Sequence, residues 1–206
     1  MKKICFFFFL LFSLSAFSQK VAIKNNLVYD ALLTPNLSLE FPLTEKWTLD
    51  TQVGMNFFFY KTDATAPGYK AKKWSHWLVQ PEARYWTRER YDGWFVGFHA
   101  HGGQMNVGGI NIPFIIQNKH KEMKKHRYEG YFYGIGISGG YHWMLSDHFR
   151  MEASFGIGYA HVKYDKFKCT TCGRKAGKGE ADYIGPTRAA LSLIYIFNNS
   201  KKKSEK

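Results

Sequence analysis

The sequence predicts an all-β protein, an eight-stranded antiparallel up-and-down transmembrane β-barrel. Three observations predict this fold: an export signal at the start of the chain, no apolar run of about 18 residues after it, and repeated alternation of apolar with polar residues. In addition, 18% of the 206 residues are aromatic. Aromatic residues concentrate at the two interfaces of membrane proteins, so this excess favours a membrane protein over a soluble one.

Residues 1–18 have the features of a secretory signal peptide. Lys2 and Lys3 give the chain a positive start, and the apolar run Ile4–Phe12 follows them. Ala16 and Ser18 then form a small-residue cleavage site. We therefore expect a cleaved signal peptide at 1–18, an outer-membrane β-barrel at 19–197 and a basic periplasmic tail at 198–206.

The strands are predicted from period-2 alternation, which Trp47–Phe59 shows well: its odd positions are mostly apolar and its even positions mostly polar. A membrane strand with lipid outside and a polar lumen inside has this pattern. The same alternation predicts seven more strands, in Val21–Asp30, Asn36–Leu43, Trp77–Trp86, Gly93–His101, Tyr131–Trp143, Phe149–His161 and a last segment that includes Arg188 and ends at Phe197.

Aromatic residues near the strand ends predict interfacial girdles. They are Trp47, Trp77, Trp86, Trp94, Trp143 and Tyr195. A soluble β-sandwich or a lipocalin-like barrel also alternates. A soluble periplasmic β-barrel binding protein is therefore the alternative fold interpretation.

The predicted connections alternate in length, as they do in outer-membrane barrels. Short turns are expected at Thr44–Lys46, Arg88–Asp92 and Leu145–His148, on the periplasmic side. Longer loops are expected at Ala31–Pro35, Tyr60–Lys73, Gln104–Glu129 and Tyr164–Gly185, on the outside. This arrangement predicts location in the outer membrane of a Gram-negative bacterium.

Several charged residues fall on the predicted inward face. They are Glu40, Asp50, Glu82, Arg84, Arg150, Glu152 and Arg188. Because an unpaired buried charge is very costly, we expect a network of ion pairs and hydrogen bonds across the lumen. Paired carboxylates can also perform acid/base catalysis, but no activated nucleophile accompanies them. The filled lumen of a small barrel is therefore the interpretation that we adopt.

Histidines and cysteines are the other residues with possible site chemistry. His99 and His101 share one face of a predicted strand and could share a metal, and His76 and His142 are further candidates for the inward face. No third ligand has a diagnostic spacing, so we predict no metal and no cofactor. Cys169 and Cys172 could form a local disulfide in an exported protein or remain free thiols.

A basic cluster lies in the longest predicted loop. It consists of Lys119, Lys121, Lys124, Lys125 and Arg127. Such a cluster can simply be a solvated loop, or it can contact lipopolysaccharide phosphates or an acidic surface partner. Export makes nucleic acid an improbable partner.

Several motifs resemble a domain-of-unknown-function family of small outer-membrane β-barrel proteins of Bacteroides-type bacteria. The motifs lie at Lys24–Asp30, Thr34–Leu37, Lys46–Asp50, His76–Trp86 and Gly97–Gly109. Members of that family are often encoded near fimbrial components. The resemblance therefore implies a possible link to surface assembly, and it implies no enzyme activity.

We therefore expect a non-enzymatic outer-membrane barrel that supports the cell envelope, surface adhesion or fimbrial assembly through its loops. Its expected partners are outer-membrane lipid and lipopolysaccharide, together with fimbrial or other surface proteins. The alternative from another class is a barrel enzyme that acts on lipid A or phospholipid, which would need a nucleophile activated by its neighbours. Ser75 and His76 do not meet that need, because adjacent residues of a strand point to opposite faces.

Overall fold

The computed structural model describes residues 20–57, 73–108, 126–168 and 175–197, without the side chains of Lys73 and Lys168. These residues form eight strands and one short helix. The strands are β1 (Val21–Asn26), β2 (Asn36–Pro42), β3 (Trp47–Asn56), β4 (Lys73–Trp86), β5 (Gly93–Gly108), β6 (His126–Met144), β7 (Phe149–Lys168) and β8 (Lys175–Phe197). The helix is α1 (Leu27–Ala31). None of the described helices is long and apolar enough to cross a membrane.

Each strand pairs antiparallel with its neighbours in the chain, and the first strand pairs with the last. Val21 lies opposite Phe197 and Asn26 opposite Ser192, so the up-and-down sheet closes in a ring. Because β1 and β8 pair with each other, the sheet has no exposed edge at the level of the ring where all eight strands are present. The all-β, antiparallel, up-and-down architecture predicted from the sequence is confirmed.

The pleat of the strands separates two faces of opposite character. The outward face carries large apolar side chains that are exposed, such as Val96 at 59% and Ile137 at 58%. The inward face contributes most of the buried polar and charged residues, and Glu40, Asp50 and Arg84 are 0% exposed. The ring therefore reverses the usual arrangement of a soluble protein, in which charged residues are rarely buried.

The strands differ greatly in length, and the ring is therefore taller on one side. We call the end with the connections β2–β3, β4–β5 and β6–β7 the turn end, and the opposite end the loop end. β1 and β2 have 6 and 7 residues, whereas β7 and β8 have 20 and 23. The predicted loop Tyr164–Gly185 was therefore wrong over most of its length, because its residues extend β7 and β8.

The predicted strand Val21–Asp30 was too long. The chain leaves the sheet at Asn26, whose side-chain oxygen accepts the N–H of Val28 at 3.1 Å and caps α1. Asparagine is a favoured N-cap residue because its side chain satisfies an N–H of the first turn. The connection from β1 to β2 therefore contains a helical turn.

A β-bulge in β8 changes which residues face inward. Gly156 lies opposite Arg188, and Ile157 lies opposite Pro186, so Thr187 is an extra residue in β8. A bulge of this kind re-aims the side chains that follow it. Thr187 and Arg188 consequently both direct their side chains into the ring, where each has a partner.

Candidate functional site

The interior of the ring holds a cluster of charged side chains that we call the lumen network. Its members come from six strands and are Lys24, Glu40, Asp50, Glu82, Arg84, Glu152 and Arg188. None of them is more than 4% exposed. The structure thus brings together every predicted lumen charge except Arg150 and adds Lys24.

Arg84 lies at the centre of this network. Its Nη1 and Nη2 lie 2.8 Å and 3.1 Å from the two carboxylate oxygens of Glu152, which is a bidentate pair. Its Nη2 also lies 2.9 Å from Asp50 Oδ2, and its Nε lies 2.8 Å from Glu82 Oε1. The planar guanidinium offers donors in several fixed directions, so one arginine can bind carboxylates from several walls of the ring.

Lys24 is the member that the sequence interpretation missed. Its ammonium contacts Glu40, lies 2.8 Å from Glu152 Oε2 and lies 4.0 Å from Asp50 Oδ1. Lys24 belongs to the short strand β1, in which alternation was weak. The signal that could have revealed it is the alternation in β1 itself, in which the apolar Val21 and Ile23 take one face and Lys24 takes the other.

Arg188 and several hydroxyl groups provide the remaining ion pairs and hydrogen bonds to the carboxylates. Arg188 Nη2 lies 3.0 Å from Asp50 Oδ2, and its Nη1 lies 2.9 Å from Glu82 Oε2. Three hydroxyl groups also donate to the carboxylates: Ser38 to Asp50, Thr48 to Glu40, and Ser138 to Glu82. This set of partners offsets part of the cost of desolvating the charges.

Glu40, His142 and Glu152 are the described residues whose geometry could suit a metal ion, since one ligand atom from each lies within 4.8 Å of the others. The ammonium of Lys24, however, contacts both Glu40 and Glu152. His142 Nε2 already lies 2.6 Å from Glu152 Oε2. A metal ion would have to displace a cation that the chain itself supplies.

An aromatic layer closes the turn end of the lumen. The ring centroid of Trp86 lies 5.0 Å from that of Phe95 and 6.0 Å from that of Tyr91. The Nε1 of Trp86 donates to the hydroxyl of Thr48 at 2.9 Å. Trp86 is 0% exposed, so its predicted place in an interfacial girdle was wrong. Its even-numbered position in β4 turns it inward, as it does Glu82 and Arg84.

Tyr91, in the turn between β4 and β5, anchors this aromatic layer. Its hydroxyl lies 3.0 Å from the carbonyl oxygen of Lys20 and 3.3 Å from that of Glu40. Burial raises the pKa of the Tyr91 phenol, so the phenol remains a neutral donor. Arg150 donates to the carbonyl of Tyr91 at the rim of the ring, which separates it from the lumen network and corrects its predicted place there.

The connection between β1 and β2 covers the loop end of the lumen network. The ring of Tyr29 packs over Gly54, where a Cβ would lie in van der Waals contact with it, 3.4 Å from Tyr29 Cδ2. Asn56 Nδ2 donates to the carbonyl of Leu33 at 2.7 Å, and Thr34 Oγ1 lies 3.3 Å from His76 Nε2. The charges are therefore covered at both ends.

His99 and His101 face inward above the network, as predicted, with their ring centroids 5.7 Å apart. His99 Nε2 lies 2.9 Å from Thr187 Oγ1. Both rings occupy space that two glycines leave open, because a Cβ at Gly136 or Gly134 would lie 2.6 Å from the nearest imidazole Nε2. Close packing against β6 accounts for the position of both histidines.

The predicted surface candidates lie mostly outside the described residues. Those outside are Lys119, Lys121, Lys124, Lys125, Cys169 and Cys172. Arg127 is described, and it belongs to β6 rather than to a loop. Its guanidinium carbon lies 4.7 Å from the ring centroid of Phe167, and its Nη2 lies 3.4 Å from Glu129 Oε2.

The chain was compared with protein families, curated proteins and solved structures. The model of the family DUF3575, described as a protein of unknown function, matches residues 4–197. Neither the curated proteins nor the solved structures gave a match. The match covers every strand of the ring.

Proposed function

The chain belongs to the DUF3575 family, and we propose that it is a transmembrane β-barrel of a Gram-negative outer membrane, exported by a cleaved signal peptide. The observation that carries the proposal is the contrast between the two faces of the ring. Outward side chains such as Trp94, Val96 and Phe98 are 64%, 59% and 55% exposed. In water, so extended an apolar surface would be unfavourable by about 25 cal/mol per Å².

Aromatic pairs at both ends of the apolar band support this proposal. Trp94 and Tyr141 pack edge to face at the turn end, with ring centroids 5.0 Å apart. Tyr131 and Tyr133 stack towards the loop end at 6.4 Å. Trp and Tyr prefer the headgroup level of a bilayer because they combine an apolar ring with a polar group.

The covered lumen supports a non-enzymatic role. The carboxylates that could act as acid or base are bound to Lys24, Arg84 and Arg188 and are shielded from solvent. Within the described part of the chain, the aromatic layer covers these groups at one end and the β1–β2 connection covers them at the other. The lumen network holds the walls of the barrel together, and function resides on the outside.

The barrel would work through the surface that it presents at the loop end. There β6, β7 and β8 continue beyond the level at which β1 ends. We place envelope support, surface adhesion or assembly of fimbriae at this end, with lipopolysaccharide and surface proteins as partners. The resemblance to small barrels encoded near fimbrial components supports the last of these roles.

Fractionation of the native host, followed by gel electrophoresis with and without boiling, tests the proposal. A closed sheet satisfies its own backbone groups and resists detergent until it is heated. We expect recovery with the outer membrane and a shift in mobility on boiling. Recovery of the chain from the soluble periplasm after mild lysis would overturn the proposal in favour of a soluble periplasmic barrel.

A further inference from the structure

The upper part of β8 has a strand partner on one side only within the described part of the chain. β7 pairs with β8 along its whole length, up to Phe167 opposite Lys175. On the other side, β1 pairs with β8 only as far as Asn26 opposite Ser192. We call residues Lys178–Ile184 the β8 edge. Such an edge carries backbone groups that can template the addition of another strand.

The side chain of Asn26 shows which backbone groups point to this open side. It binds the carbonyl of Ala189 at 3.1 Å and the N–H of Leu191 at 3.3 Å, so odd-numbered residues face the β1 side there. The N–H and C=O of one residue in an antiparallel strand point to the same side, and successive residues alternate. The bulge at Thr187 reverses this alternation. Within the β8 edge the even-numbered residues therefore direct N–H and C=O groups to the open side.

Pro186 is consistent with this assignment and marks where the open edge begins. Proline has no N–H, and within sheets it is confined to positions that do not donate to the ladder. Its even number places its nitrogen on the open side, and its carbonyl accepts the hydroxyl of Tyr183 at 3.1 Å. The chain thus satisfies its own backbone at Pro186, and among the described residues no strand pairs with the β8 edge on this side.

The side chains of the β8 edge define what would fit beside it. The outward face carries Lys178, Glu180 and Asp182, which are exposed. On the β7 side, Glu180 Oε1 lies 3.1 Å from Lys163 Nζ, and Asp182 Oδ1 lies 2.7 Å from His161 Nδ1. Both carboxylates remain more than half exposed, at 59% and 65%, so a strand added on the open side can also reach them. The inward face carries the small residues Gly179 and Ala181 and the aromatic Tyr183, whose hydroxyl donates to the carbonyl of Pro186. Opposite charges on directly opposed residues stabilise a pair of strands, and like charges destabilise it.

We propose that the β8 edge binds an extended segment of a second protein by antiparallel strand addition. The segment has basic residues opposite Asp182 and Glu180 and an acidic residue opposite Lys178. Backbone hydrogen bonds supply affinity in this mode of binding, and alternate side chains supply specificity. The open edge follows from the fold of β7 and β8 alone, and only the argument against a second copy of this chain rests on the proposed membrane location.

A second copy of this chain is a poorer occupant. Two barrels in one membrane are related by a twofold axis along the membrane normal, so their β8 strands would not run antiparallel. In the parallel arrangement that this axis leaves, in-register pairing would place each charge beside its own counterpart, for example Glu180 beside Glu180 of the other copy. The charge pattern therefore favours a different chain.

Binding of two fluorescent peptides to the full chain, folded in detergent, tests the proposal by fluorescence anisotropy. Both peptides alternate threonine with three charged residues, which are lysine, lysine and glutamate in the matched peptide and glutamate, glutamate and lysine in the swapped one. The chain has a formal charge of +13, so non-specific attraction favours the swapped peptide. We expect the matched peptide to bind about tenfold more tightly, given the energies of cross-strand charge pairs.

Two substitutions at one position separate the contribution of the backbone N–H to peptide binding from that of the carboxylate. Glu180→Gln removes the carboxylate but keeps the N–H, and we expect binding of the matched peptide to weaken about two- to fivefold. Glu180→Pro also removes the N–H on the open side, and we expect it to abolish binding. Ile184→Pro and Ile184→Thr repeat the comparison at a position that is 85% exposed and without charge.

Three results would overturn the proposal. The first is equal binding of both peptides, or of neither, to the unsubstituted chain. The second is unchanged binding in the folded proline variants. The third is a dimer of the chain in detergent that Ile184→Pro dissociates, because a second copy would then be the occupant.

Discussion

Arg84 and Glu152 are joined across the ring by two hydrogen bonds of 2.8 Å and 3.1 Å, although 68 residues separate them in the sequence. Arg84 belongs to β4 and Glu152 to β7, so the pair links walls that share no backbone hydrogen bonds. Both side chains are 0% exposed. Their ion pair therefore connects two strands that the backbone hydrogen bonds of the sheet do not connect.

Arg84→Met should destabilise the fold strongly, because it leaves the carboxylates of Glu152, Glu82 and Asp50 without their shared cation. Removal of one partner of a buried ion pair costs about 3–5 kcal/mol. The measurement is denaturant unfolding of the chain folded in detergent or lipid. Arg90→Met is the matched control, since Arg90 lies in a turn and donates to the carbonyl of Thr44. Equal losses at the two positions would contradict the central role of Arg84.

Lys24→Met should also destabilise the fold, because Glu40 and Glu152 would lose the ammonium between them. Adding Glu40→Gln removes one of the stranded charges, so the double variant should be more stable than the sum of the single effects predicts. A coupling energy of about 0.5–3 kcal/mol is typical of residues in one ion-pair network. Lys46→Met, in the exposed β2–β3 turn, is the control. Strict additivity would show that Lys24 and Glu40 act independently.

Two glycines of β6 provide a matched test of the packed lumen. A Cβ at Gly136 would lie 2.6 Å from His99 Nε2 and 2.7 Å from the carbonyl oxygen of Ile157, whereas a Cβ at the outward Gly139 would meet only Phe95 O at 3.8 Å. Gly136→Ala should therefore cost about 1–3 kcal/mol through overpacking. Gly139→Ala should be nearly silent in the same unfolding measurement. A silent Gly136→Ala would mean that the histidine layer is loosely packed.

Much of the fold could be predicted from the sequence, because a period of two assigns each residue of a strand to one face. Glu82, Arg84 and Glu152 could be placed inside the ring on this basis alone. Lys24 was missed because β1 is short. Arg150 was misplaced because a side chain that faces inward near the rim can bind a turn carbonyl instead of the central charges.

The extension of β8 could not be predicted, because its residues lack the usual signs of a strand. Lys175–Gly179 is rich in lysine and glycine, which are depleted in strands. The bulge at Thr187 also breaks the alternation on which the prediction relied. Pairing with the aromatic and β-branched residues of β7 makes this segment a strand, and that partner is visible only in the structure.

Single-tryptophan variants should distinguish the two faces of the ring and test the membrane proposal directly. Trp94 is 64% exposed on the outward face, whereas Trp86 is 0% exposed beside the lumen network. In a variant that keeps only Trp94, brominated lipid should quench the fluorescence strongly, because the indole would contact the bilayer. In a variant that keeps only Trp86, the same lipid should quench little, because the wall of the ring separates this indole from lipid. Quenching of neither residue in vesicles that contain the folded chain would contradict a lipid-facing outer surface, and stronger quenching of Trp86 would show that the faces of β4 are reversed.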